Sequence, residues 1–163
     1  MLILIISPMN KILSACNVLS IFLLIVITIL SVMIYISNDV IPTHWALNGH
    51  IDSYGKSYSV FLDLFITMIM CFLLLFFEKH PHLCNLPWTF SKYKDCALLF
   101  VQLNLSIINL LVMIYQSYIF IATYNNMNLN IVFFAVILSI GIFTTIYCIK
   151  NISILHKKEI EKF

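Results

Sequence analysis

Four runs of Ile, Leu, Val, Phe and Met dominate the chain, at residues 12 to 36, 58 to 77, 96 to 120 and 131 to 149, and polar residues gather in the intervals between them. A helix needs about 20 apolar residues to cross a bilayer, so each run predicts one membrane span. The first run is longer than the roughly 7 to 15 apolar residues of a secretory signal, and no small-x-small cleavage site comes after it, so it is expected to stay as a span. Residues 1 to 10 are apolar but too short to cross, and Pro8 is expected to break them from the first span.

Polar residues inside the spans recur with helical spacing. Gln102, Ser106, Asn109 and Gln116 succeed one another at steps of four, three and seven, on one face of the third span. In the first span Ser14, Asn17, Thr28, Ser31 and Tyr35 share a heptad-like seam with Ile21 and Leu24. Amides and hydroxyls on such faces predict packing and hydrogen bonding between helices, with a polar pathway as the alternative. Asp63 lies about 8 Å along the axis from Tyr58, on a face continued by Thr67 and Cys71. An ionisable group there either serves a functional cavity or reaches water at the interface.

Composition agrees with this pattern. The 163 residues are 62% hydrophobic and 10% charged, with mean hydropathy +1.02, far more apolar than a soluble domain tolerates. The expected fold class is an all-α integral membrane protein, a four-helix transmembrane bundle forming a single domain. The basic residues are all lysine. Lys11, Lys79, Lys92, Lys94, Lys150, Lys157, Lys158 and Lys162 flank one side of the predicted spans, and Lys56 alone falls on the other. The positive-inside rule then places both termini and the middle loop in the cytoplasm, and residues 37 to 57 and 121 to 130 outside. The net charge of +2 suits anionic lipid. Without arginine or a basic patch interleaved with aromatics, nucleic-acid binding has no support.

Cysteines 16, 71, 84, 96 and 148 avoid the outer loops, so no disulfide framework is expected there. His80, His82, Cys84 and Cys96 crowd the middle loop, but their spacing is not that of paired zinc ligands, and neither a metal nor another cofactor is expected. Trp88 and Tyr93 read as headgroup anchors of that loop.

The outer stretch "IPTHWALNGHIDSYGKS" stands apart from its apolar neighbours. Asn48-Gly49 predicts a two-residue hairpin turn with positive φ at both positions. Leu47 would then face His50, Trp45 would face Asp52 and Thr43 would face Tyr54. His44 would lie opposite Ser53 on the other side. A three-ligand metal site of His44, His50 and Asp52 would need that hairpin distorted.

Pro42, His44, Trp45, Gly49, Asp52 and Lys56, spaced P-x-H-W-x3-G-x2-D-x3-K between the first two spans, resemble the loop of the bacterial SdpI-like membrane proteins. The likeness covers residues 38 to 60; elsewhere it amounts to membrane spans, and Asp63 occupies a region where the family carries a proline. The resemblance implies a multipass protein of the bacterial plasma membrane, similar to the front part of an immunity protein that guards against a secreted toxin and signals to a repressor. It implies that Pro42, Asn48 and Gly49 shape the loop and that Trp45 anchors it. His44, His50, Asp52 and Lys56 are the expected recognition residues, for a peptide, a lipid headgroup or the protein's own second outer loop. Three function classes are compatible with these features. The first is binding or sensing of a peptide toxin or envelope ligand, with "ILHKKEIEKF" meeting a regulator inside. The second is a transporter or permease subunit, if Asp63, Gln102 and Asn109 share a water-accessible cavity. The third, a membrane-embedded hydrolase, lacks an HExxH helix or GxSxG turn, so no enzyme is expected.

Overall fold

The apolar runs fold as four helices: α1 (Leu2–Ser37), α2 (Val60–Lys79), α3 (Lys94–Tyr124) and α4 (Ile131–Ile160). Each is long and apolar enough to cross a membrane, and the chain is a multipass four-helix bundle. The structure is a computed structural model describing residues 2 to 86, 90 and 93 to 161; Trp88, Lys92 and Lys162 lie outside the described residues. Helices satisfy their backbone groups within the segment, as hydrocarbon requires. Between α1 and α2 the chain forms an antiparallel hairpin, β1 (Val40–Trp45) and β2 (Ile51–Lys56).

Helix α3 is the central element, packed against α1, α2 and α4, while α1 also meets α2. One core cluster, toward the hairpin, joins Ile27 and Ile34 of α1, Ile41 of β1, Val60 and Cys71 of α2, and Met113 and Phe120 of α3. A smaller one, of Met9, Leu99 and Leu103, lies toward the opposite end. Contrary to the sequence expectation, α1 runs through Pro8. Its missing N–H forfeits one backbone hydrogen bond, a loss that membrane helices accommodate.

The seam expected along α1 holds in part: Asn17 bonds to α2 and α3, Leu24 packs on the core and Ser31 is buried. Ser14, Ile21, Thr28 and Tyr35 are exposed, whereas Met9, Cys16, Ser20, Ile27, Ser31 and Ile34 form the buried row. Hydroxyls misled the pattern because they can be satisfied within the helix: Thr28 Oγ1 donates to the Leu24 carbonyl at 2.8 Å and needs no neighbour. Cys16, Ser20 and Ser31 are small, and small residues let helices approach closely where lipid supplies no hydrophobic drive.

The α3 stripe does not serve one single neighbour. Gln102 and Ser106 meet Glu78 of α2, Asn109 Nδ2 contacts Cys71 Sγ at 3.8 Å, and Gln116 lines a groove of about 560 Å³ between α3 and α4. Tyr93, expected at the headgroups, is instead buried at the start of α3. The far end of α3 stops in a Schellman arrangement, with Asn126 at φ 53° and bonds from Asn126 N to Thr123 O and from Met127 N to Ala122 O.

Candidate functional site

The hairpin turns on three residues rather than two. Gly49 N donates to Ala46 O at 2.8 Å, Ala46 N donates to His50 O at 2.9 Å, and Asn48 Oδ1 accepts from His50 N at 3.1 Å. Only Gly49 has positive φ, 81°, so the loop is a turn closed by a left-handed glycine, and Asn48 is not left-handed as expected. Asn48 contributes through its side-chain oxygen instead.

That extra loop residue shifts the ladder. Trp45 pairs with Ile51, Pro42 with Tyr54, Ile41 with Gly55 and Val40 with Lys56, in one register that is irregular only around His44, which pairs with Ser53. The expected facing pairs Trp45 with Asp52 and Thr43 with Tyr54 are therefore not formed. In this register His44 comes over Asp52, and His44 Nδ1–H donates to Asp52 Oδ1 at 2.6 Å. The two residues expected on opposite sides thus meet, and both remain exposed.

The hairpin is seated on the α3–α4 connection. Trp45 Nε1 donates to the Met127 carbonyl at 3.1 Å, Ile51 N donates to Asn128 Oδ1 at 3.1 Å, and Leu129 N donates to the Gly49 carbonyl at 2.8 Å. Trp45, expected as a headgroup anchor, pins one loop to the other. The connection is itself held in place, since Asn130 N donates to Tyr118 Oη at 2.6 Å and Asn130 Oδ1 caps α4 by accepting from Val132 N. Of the other residues expected to recognise a ligand, His50 and Lys56 are exposed; Pro42, expected to shape the loop, is a buried residue of β1.

Asp63 lies in the first turn of α2, where the positive end of the helix dipole favours a carboxylate. It is half-buried and lines a cavity of about 330 Å³ under β1, with Pro42, Thr43, Val60, Ile119 and Thr123. The structure brings Asp63 beneath the hairpin but not beside Gln102 and Asn109, which lie deeper.

One polar centre escaped the sequence pattern. Glu78 looks like the first residue of a polar loop, yet it belongs to α2 and is only 4% exposed. Asn17 Nδ2 donates to its Oε1 at 2.9 Å, Ser106 Oγ lies 3.3 Å from its Oε2 and 2.7 Å from Asn17 Oδ1, and Gln102 Nε2 donates to its backbone carbonyl at 3.0 Å. Its spacing held the signal, because Glu78 comes seven residues after Cys71 on the face that also carries Thr67.

In the middle loop His80 Nδ1–H donates to the Phe76 carbonyl at 2.9 Å while its ring stacks on Phe76. Among the described residues no group of three His, Cys, Asp or Glu side chains has the geometry to hold a metal ion. No family model, curated protein or solved structure matches this chain.

Proposed function

We propose that the protein recognises a peptide toxin or another envelope ligand at the outer face of a bacterial plasma membrane, with both termini and the α2–α3 connection inside. The observation that carries this reading is the exposed His44–Asp52 pair on a hairpin already fixed to the second loop. A preformed surface avoids the ordering cost that a free loop pays on binding. The resemblance of P-x-H-W-x3-G-x2-D-x3-K to the SdpI-like loop supports immunity or signalling as the outcome, and the lysine distribution supports the orientation. The lipid bilayer is then the structural partner, and a regulator meeting the C-terminal "ILHKKEIEKF" would carry the signal.

The test is survival of a sensitive host exposed to culture supernatant of the source bacterium, with variants expressed at matched membrane levels. Wild type should protect. His44→Ala and Asp52→Asn should each weaken protection about tenfold, the scale of one lost charge-assisted hydrogen bond. If wild type gives no protection, the immunity reading falls.

A transporter or permease subunit is the second reading, favoured by the carboxylate of Asp63 in its cavity of about 330 Å³. Under it, Asp63→Asn abolishes substrate uptake at unchanged membrane level, because the amide keeps shape and removes charge.

A further inference from the structure

The side chains that line the cavity of about 330 Å³ beneath β1 offer more hydrogen-bond acceptors than donors. Ser59, Asp63 and Thr123 are among them. Ser59 Oγ donates to the Lys56 carbonyl at 2.8 Å, and Thr123 Oγ1 donates to the Ile119 carbonyl at 2.9 Å. Thr67 Oγ1, one turn further along α2, donates to the backbone carbonyl of Asp63 at 2.9 Å and not to its carboxylate. A hydroxyl carries a single hydrogen, so these three are spent on the backbone and keep only oxygen lone pairs. Of the lining hydroxyls, only that of Thr43 is uncommitted among the described residues. The Asp63 carboxylate has no hydrogen-bond or ion-pair partner among those residues either: the ion pair present joins His44 to Asp52, and Lys56, the nearest lysine in the sequence, is exposed.

Charge, hydrogen count and position narrow the occupant. A carboxylate only accepts and an ammonium only donates, with three N–H groups that can serve the carboxylate and neighbouring hydroxyl oxygens together. An anion would meet a like charge, and a trimethylammonium group has no N–H to give. The approach to the cavity is apolar: Leu62 and Ile66 also line it and are 65% and 49% exposed, which on a membrane helix means exposed to lipid. Helix α2 has 20 residues, about the length that spans the hydrocarbon, so Asp63 in its first turn lies near the headgroups. A group entering from that side brings its own hydrocarbon with it. The volume falls in the range of about 300–1,000 Å³ that holds small ligands.

We propose that this cavity is a lipid site that takes the primary ammonium of an ethanolamine phospholipid. Asp63 is its counter-charge, the Ser59 and Thr123 oxygens are further acceptors, and the acyl chains lie along Leu62 and Ile66. The bound headgroup then fills the space between β1, α2 and α3. The site depends neither on what the hairpin recognises nor on transport.

Native mass spectrometry of the purified full-length protein in detergent tests it, with phosphatidylethanolamine and phosphatidylcholine of identical chains supplied in equal amounts. Wild type should retain the ethanolamine lipid in preference by about tenfold, the scale of one charge-assisted hydrogen bond. Asp63→Asn should abolish the preference, Asp63→Glu should restore it, and Asp95→Asn, at the start of α3, should keep it. Equal retention of the two lipids by wild type, or a preference that survives Asp63→Asn, overturns the proposal. Displacement of the lipid by an equal concentration of free ethanolamine overturns its assignment to lipid. If Asp63→Asn does not accumulate, Thr123→Val, which removes an acceptor and keeps the shape, decides in its place, and an unchanged preference there overturns the proposal as well.

Discussion

Gly49 does two things that no other residue type could do together. Its φ of 81° closes the three-residue loop, and its bare Cα allows the Leu129 carbonyl to approach, where any Cβ would collide. Its own carbonyl accepts from Leu129 N. A valine there carries backbone strain of about 1–3 kcal/mol in addition to the collision, so Gly49→Val should unseat the hairpin. In a Trp88→Phe background, Trp45 emission should shift to the red and become more accessible to iodide, while the amount of protein in the membrane changes little. Unchanged emission would show that the seat does not depend on Gly49. The need for glycine was readable in Asn48-Gly49, but the register was not. Whether the loop holds two residues or three depends on which backbone groups bond to Ala46 and on the Asn48 side chain taking the His50 N–H. That choice moves Asp52 from Trp45 to His44.

Among the elements, α1 separates what pattern can and cannot reveal. Four spans were readable because membrane thickness sets a length that composition alone reports. The buried face of α1 was readable only in Asn17, Leu24 and Ser31, because in lipid both faces are apolar and an internally bonded Thr28 resembles an interhelical contact. Ile27, fully buried, and Ile21, on the expected seam but 48% exposed, put this to the test. Ile27→Ala should lower the thermal stability of the detergent-purified protein by an amount in the range of about 2–5 kcal/mol for a buried large-to-alanine change. Ile21→Ala should leave it nearly unchanged. Equal losses at the two positions would return the seam to where the hydroxyl pattern put it. Glu78 was missed for a related reason. Beside Lys79 and His80 it reads as the start of a polar loop, and only the position of Asn17 and Ser106 at the same level of the bundle distinguishes a buried carboxyl from a solvated one.

For the whole molecule, the proposed orientation has a direct check. In a cysteine-free background, Ser53→Cys on β2 should react with a membrane-impermeant maleimide in intact cells, and His82→Cys between α2 and α3 only after lysis. Reaction of both in intact cells, or in the reverse order, would undo the orientation. The seat of the hairpin also links distant parts of the chain: Trp45 and Met127 are 82 positions apart, and Ile51 and Asn128 are 77. During synthesis the hairpin is made well before its seat exists. A ribosome that has produced α1 and α2 has delivered His44 and Asp52 but none of the carbonyl and amide groups that fix their platform. The hairpin is therefore seated late, after α3 has inserted and the chain has turned back toward α4, and a chain stopped after Tyr124 should show Trp45 emission as red-shifted as that of Gly49→Val. Under the proposed function, incompletely made copies would occupy the membrane without competing for the ligand.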